Sequence, residues 1–186
     1  MNMIDSKVIK SAKEHITKSS QEKDSDFFCS SRDIFQARLD SFIQNSNKYL
    51  ESALIGEIGN NTFDHNWQYA ENQMRGAYLN LTFMNRYVVL ADYGRGIRES
   101  LSSVIKLTND VQAVQTGFTK MISGRAPEQR GNGLKFVAET AISKLWSLYY
   151  QTGNGNCIIN DGKIDFLQAE DFFTGCLAIF DFNWEN

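Results

Sequence analysis

Three short segments carry residues whose types and spacing could do chemistry. In the first, Glu57, Asn61 and His65 stand four residues apart within Glu57-Ile58-Gly59-Asn60-Asn61-Thr62-Phe63-Asp64-His65. On a helix, steps of four put all three on one stripe. Leu50, Leu54 and Ile58 place an apolar stripe on that same helix, so the polar triplet is expected to continue a buried face. Buried polar groups are costly unless something satisfies them. A polar ligand or a hydrated metal would do so: an amide oxygen can ligate Mg²⁺, and a carboxylate can orient an attacking water. Taken alone, Gly59-Asn60 reads equally well as a turn, since glycine in a helix interior costs about 1 kcal/mol.

The second segment, Tyr87-Val88-Val89-Leu90-Ala91-Asp92-Tyr93-Gly94-Arg95-Gly96, is an apolar strand ending in a carboxylate and a Gly-x-Gly turn. An ionised Asp can only accept hydrogen bonds, and an adenine amino group is a natural donor. Glycines beside it let backbone approach a flat ring. A dinucleotide fingerprint is excluded because the third glycine is missing, and the chain has no GxxxxGK[ST]. In isolation the pattern is more often a surface turn. The third segment, Arg130-Gly131-Asn132-Gly133-Leu134, opens a helix striped with Val137, Ala138, Ala141, Ile142 and Leu145. Free N–H groups at a helix start favour phosphate, and Arg130 could add a charge-assisted contact; ordinary helix-entry chemistry is the competing reading.

These segments need elements to hold them. Ile34, Phe35, Leu39, Phe42 and Ile43, with Ser31 as N-cap, predict one helix, and Leu50, Ala53, Leu54 and Ile58 a second that begins near Asn47 and runs into Asn60-Asn61. Residues 77–84 and 86–91 read as a hairpin turning at Asn85. Residues 97–130, which include the only proline, Pro127, read as a long mobile connection with a short helix or two. The region 146–182 reads as three strands: one at 148–150, one near 158–159 or 164–166, and one over 177–182. Residues 1–30 read as an N-terminal extension of mixed order, and residues 31–186 as one domain. Strands joined by tight turns and interrupted by helices predict an α+β sandwich, with helices on one face of a mixed, mostly antiparallel sheet.

The chain's 186 residues suit one domain, and 42% hydrophobic residues suit a real core. A formal charge of −3 with no clustered Lys and Arg argues against nucleic acid or an anionic membrane as partner. No apolar run resembles a signal peptide or a membrane span, so a cytoplasmic protein is expected. The 3 cysteines, Cys29, Cys157 and Cys176, are widely spaced and read as reduced thiols. With only 2 histidines, a histidine-rich metal centre is excluded; His15 reads as a surface residue.

Taken in order, E-x-x-x-N-x-x-x-H on a helix, D-x-G-x-G at a strand end, a long connection and G-x-G-L opening a helix resemble the GHKL superfamily of ATPases. That superfamily includes histidine kinases and their serine-kinase relatives, and the resemblance covers residues about 45 to 182. It implies the Bergerat α/β sandwich and a Mg-ATP site. By the resemblance Glu57 is the catalytic base and Asn61 the Mg²⁺ ligand, while His65 faces the phosphates. Asp92 reads adenine, and Gly94 and Gly96 line base and ribose. Gly131, Gly133 and Leu134 form the second glycine box, and residues 97–130 form an ATP lid that brings Lys120, Arg125 or Arg130 to the phosphates. The family's late-strand Gly-Thr pair is altered here to Phe173-Thr174-Gly175-Cys176, so either Cys176 or Thr174 takes the Thr's place. The absence of a phosphoacceptor-histidine box and of a transducer domain implies a stand-alone regulatory protein kinase or ATPase, closest in layout to anti-sigma-factor kinases. Its partners would be ATP or ADP and a STAS-like or sigma-factor-like protein, with a homodimer open. An ATP-gated interaction module with negligible catalysis is the alternative.

Overall fold

In the computed structural model, which describes residues 3–22, 26–66, 75–121 and 132–184, a five-stranded sheet divides the molecule into two unequal sides. The strands are β1 (Phe28–Cys29), β2 (Ala77–Phe83), β3 (Tyr87–Asp92), β4 (Ser147–Asn160) and β5 (Lys163–Asp181). They lie in the order β1-β2-β3-β5-β4, and all neighbours pair antiparallel. The fold is therefore α+β as expected, with a sheet antiparallel throughout the described strands rather than mixed.

The front of the sheet carries α2 (Arg32–Ser46), α3 (Tyr49–Asn61), α4 (Gly96–Leu101), α5 (Asp110–Thr119) and α6 (Gly133–Ser143). Ser31 caps α2 as read, its Oγ accepting from the Ile34 N–H at 3.3 Å, while Asn47, read as the start of the next helix, ends α2 in the left-handed conformation. Val88 and Leu90 of β3, with Leu148 and Tyr150 of β4 and Ala178 and Phe180 of β5, meet Phe35, Leu54, Ile55 and Val137 in the main core. Alternate residues point the other way, as strand geometry requires. Val89, Ala91, Tyr149, Leu177 and Ile179 form a second core behind the sheet.

That second core is covered by α1 (Ser6–Glu22), which corrects the reading of residues 1–30 as an extension of mixed order. Val8, Ala12 and Ile16, at steps of four, are buried there, and Ala12 and Ile16 are fully so. Among the described residues, helices thus cover one face densely and the other with a single rod. His15 is no surface residue: its ring meets Phe27, Tyr78 and Phe83 edge-on, and its Nδ1 lies 2.9 Å from the Tyr78 hydroxyl.

The three strands expected over 146–182 are two. Asp161 and Gly162, both at positive φ, turn β4 back into β5, and irregularities between Gln151 and Gly155 let the pairing continue past two glycines. Met84 and Asn85, at φ 52° and 56°, turn β2 into β3 as read. Two short helices, α4 and α5, do lie in the long connection. Among the described residues no helix is long and apolar enough to cross a membrane.

Candidate functional site

Asp92 is the last residue of β3 and belongs with Val88 and Leu90 on the front face. Its carboxylate is buried, at 4% exposure, between two donors. The Thr62 hydroxyl donates to Oδ2 at 2.9 Å, and the Gly94 N–H donates to Oδ1 at 2.8 Å. Thr62 directly follows Asn61 and opens a π-helical turn, Thr62–Asn66, on which the end of α3 widens. One hydroxyl therefore joins the helix carrying Asn61 to the strand carrying Asp92, across 30 residues of chain. A carboxylate has about four acceptor sites and, when ionised, only accepts.

The Gly94-Arg95-Gly96 turn is fixed from two sides. Gly96, at φ +73°, sits so close to Thr152 that a Cβ there would strike the Thr152 hydroxyl, and that oxygen accepts the Ile97 N–H at 3.3 Å. Gly175, at φ +86°, packs on the Asp92 backbone, where a Cβ would stand 2.8 Å from Oδ1 and closer still to the carbonyl oxygen. Register pairs Cys176 with Asp92. Thr174, two residues earlier and on the same face of β5 by alternation, is exposed. The hydroxyl bonded to Asp92 is thus that of Thr62, a residue the sequence reading passed over; Thr152 and Gln151 were missed likewise, whereas Gly175 stood in the segment read as the altered Gly-Thr pair. The only local signal was Thr62's place next to Asn61.

Glu57 departs from expectation. The buried face of α3 is formed by Ser52, Leu54, Ile55, Ile58 and Gly59, while Glu57 is exposed and Asn61 half-buried. Rotated off the core, Glu57 lies against the start of α6: a Cβ on Gly133 would collide with its Oε2. Asn132 caps that helix with no side-chain hydrogen bond, so the first-turn N–H groups of α6 lie beside this carboxylate and take nothing from the cap. Leu134 packs onto the main core and against Gly117 of α5. The structure therefore brings together Glu57 with Gly133, and Asn61, through Thr62, with Asp92, Gly94 and Gly96. Arg130, Gly131, the side chain of His65, and Arg125 lie outside the described residues; Lys120 is exposed at the end of α5.

Burial is the main influence on the thiols, opposed at Cys29 by Arg38. It pushes Cys157 and Cys29 upward, and all three cysteines are buried and unbridged, as read. Beside the glycine turn, α4 and the loop after it wall an open cleft of about 780 Å³ lined by Arg95, Arg98, Lys106 and Phe172. Arg98 is engaged there, donating to the Thr108 carbonyl at 3.0 Å and lying 3.5 Å from Asp110. Asp92 and Asn61 do not line that cleft.

Among the described residues, no group of three or more His, Cys, Asp or Glu side chains could hold a metal ion. Asn61 carries an amide oxygen, a hard donor of the kind that can join phosphates and water around Mg²⁺. No family model matches the chain, and no curated protein matches its sequence.

Proposed function

We propose that this chain is a stand-alone Mg-ATP-binding domain of the GHKL type with the Bergerat form of the α+β fold, serving as a regulatory protein kinase or ATPase acting on a protein partner. The observation that carries the reading is convergence. Residues 57, 61, 92, 94, 96 and 133, drawn from three separate segments, border one region at the front of the sheet, joined by the Thr62–Asp92 bond and the Glu57–Gly133 contact. Chance motifs would have no reason to share neighbours.

In this reading Asp92, held by Thr62 and Gly94, accepts from the adenine amino group. Gly94 and Gly96 offer bare backbone to the base and ribose. The start of α6 faces the phosphates with its N–H groups and the positive end of its dipole. Asn61 would supply an oxygen to Mg²⁺, and the ion would neutralise phosphate charge. Glu57, exposed and at the mouth of α6, is placed to take a proton from water or from an acceptor hydroxyl. Thr174, Leu134, Arg130, Gly131 and His65 complete the proposed set.

Titration of the chain with ATP and Mg²⁺ tests this directly. Saturable binding in the wild type that disappears in Asp92→Ala supports the reading, and no binding in the wild type ends it. Glu57→Ala should keep binding within about threefold yet abolish phosphate release. A flat phosphate baseline in the wild type, with its partner supplied, would leave binding without turnover.

A further inference from the structure

The back of the sheet bears on the same site. Strand alternation puts Asp92 on the front, but its neighbours Ala91 and Tyr93 both belong to the second core under α1. The strand that crosses Asp92 behaves alike: Cys176 faces forward, while Phe173 and Leu177 face α1, and Phe173 stacks on Tyr93 at 5.9 Å between centroids. In β4, Thr152 faces forward to hold the start of α4, and Gln151 beside it faces back.

Gln151 is fully buried and heavily bonded. Its amide donates to the Asp171 carbonyl at 2.7 Å and to the Gly153 carbonyl at 3.2 Å, and its oxygen accepts from the Tyr149 hydroxyl at 2.8 Å. Asp171 in turn accepts from Lys13 of α1 at 2.6 Å. A continuous contact path therefore runs from α1 through Asp171 and Gln151 to Thr152 and Gly96. A second path runs through Phe173 and Tyr93 to Gly175 and Asp92.

Resting on the nucleotide reading above, we propose that α1 is a positioning element for the nucleotide site: its docking on the back of the sheet sets the placement of Asp92, Gly96 and Gly175, so that α1 docking and Mg-ATP affinity are coupled. The cover suits such a role. Ala12 is the central contact, and Ser19 and Ser20, also buried in α1, contribute little apolar area. Anything that lifts α1, including a partner that binds its inner face, would then weaken nucleotide binding, and by linkage nucleotide would tighten α1.

Amide hydrogen exchange with and without Mg-ATP on the full chain, joined to calorimetric titration, tests the coupling. In the wild type, saturating Mg-ATP should slow exchange across residues 8–20 by about tenfold; unchanged exchange there at saturation overturns the proposal. Ala12→Asp should expose α1, raise exchange over 91–97 and 174–177 while α2 and α3 stay protected, and weaken Mg-ATP by about tenfold. Lys13→Met, which leaves the core intact, should weaken it about twofold. An Ala12→Asp chain with α1 released but residues 91–97 and affinity unchanged refutes the coupling. Should the wild type bind no ATP, the nucleotide reading fails, and the exchange over 91–97 in Ala12→Asp alone decides the mechanical link.

Discussion

The two faces of the sheet are built on different terms. In front, five of the described helices press large side chains such as Phe35, Leu54, Ile55 and Phe118 into one continuous core, and beside it the buried Thr62 hydroxyl and Asp92 carboxylate bond to each other. Behind, one helix offers Val8, Ala12 and Ile16 to bulky sheet residues and relies on a polar seam of His15, Ser19, Lys13 and Gln151. A densely packed layer resists rearrangement, whereas a thin one with polar joints can lift locally at modest cost. On the proposed reading, the fixed carboxylate stands in front and the means of adjusting it stands behind.

The sharpest way to break the contrast is in front. Asp92→Ala removes the proposed adenine acceptor and leaves Thr62 without its partner, so Mg-ATP affinity should drop at least about 100-fold by calorimetry, as for loss of a buried hydrogen-bonded charge. Gly175→Ala should come next. Its Cβ meets the Asp92 backbone and φ is +86°, so the chain should lose about 1–3 kcal/mol in denaturant unfolding and bind nucleotide more than tenfold more weakly. Thr62→Val keeps the shape but deletes the donor to Oδ2, and a five- to tenfold weaker affinity should accompany a loss of about 1 kcal/mol.

The back face should answer to pH more faintly. The hydrogen bond from Lys13, then its charge, hold the Asp171 carboxyl below the usual range. A depressed folded value means that the contribution is present above the unfolded value, about 4, and is lost as pH falls through the folded one. Exchange of the α1 amides should therefore rise on acidification below about pH 4, and Asp171→Asn should flatten that rise. The change should be small because Asp171 is largely exposed. At the other end of the scale, burial lifts the Tyr149 hydroxyl to about 12, so this donor to Gln151 stays protonated through the working range.

Legibility in the sequence followed how local each signal was. Ser31, Asn47, Asn85 and the apolar stripe of α6 act within a turn or two of chain, and α2, α3, the β2–β3 hairpin and α6 were readable from them. The back helix went unread although Val8, Ala12 and Ile16 recur at steps of four, because the Lys and Ser residues between them make the segment polar as a whole. The long β4–β5 hairpin was read as three shorter strands; Gly153 and Gly155, which lie between the first two, make room for Asp110, whose carboxylate accepts the Asn154 N–H at 2.9 Å. The Asp161-Gly162 turn signal was in plain view and went unused. In the site, the types and order of Glu57, Asn61, Asp92 and the glycines were legible, but the exposure of Glu57 was not, since a four-residue step cannot say which way the helix is rotated. Thr62 was invisible because its partner lies 30 residues away.

The central claim is that adenine and phosphates meet the front of the sheet between Asp92 and the start of α6. Amide chemical-shift mapping with ATP and Mg²⁺ tests it most directly. The account predicts saturable, coincident shifts at Thr62, Gly94, Gly96, Gly133 and Gly175, lost in Asp92→Ala. Shifts confined to Arg98, Lys106 and the neighbouring cleft, or none at saturating nucleotide, would contradict it.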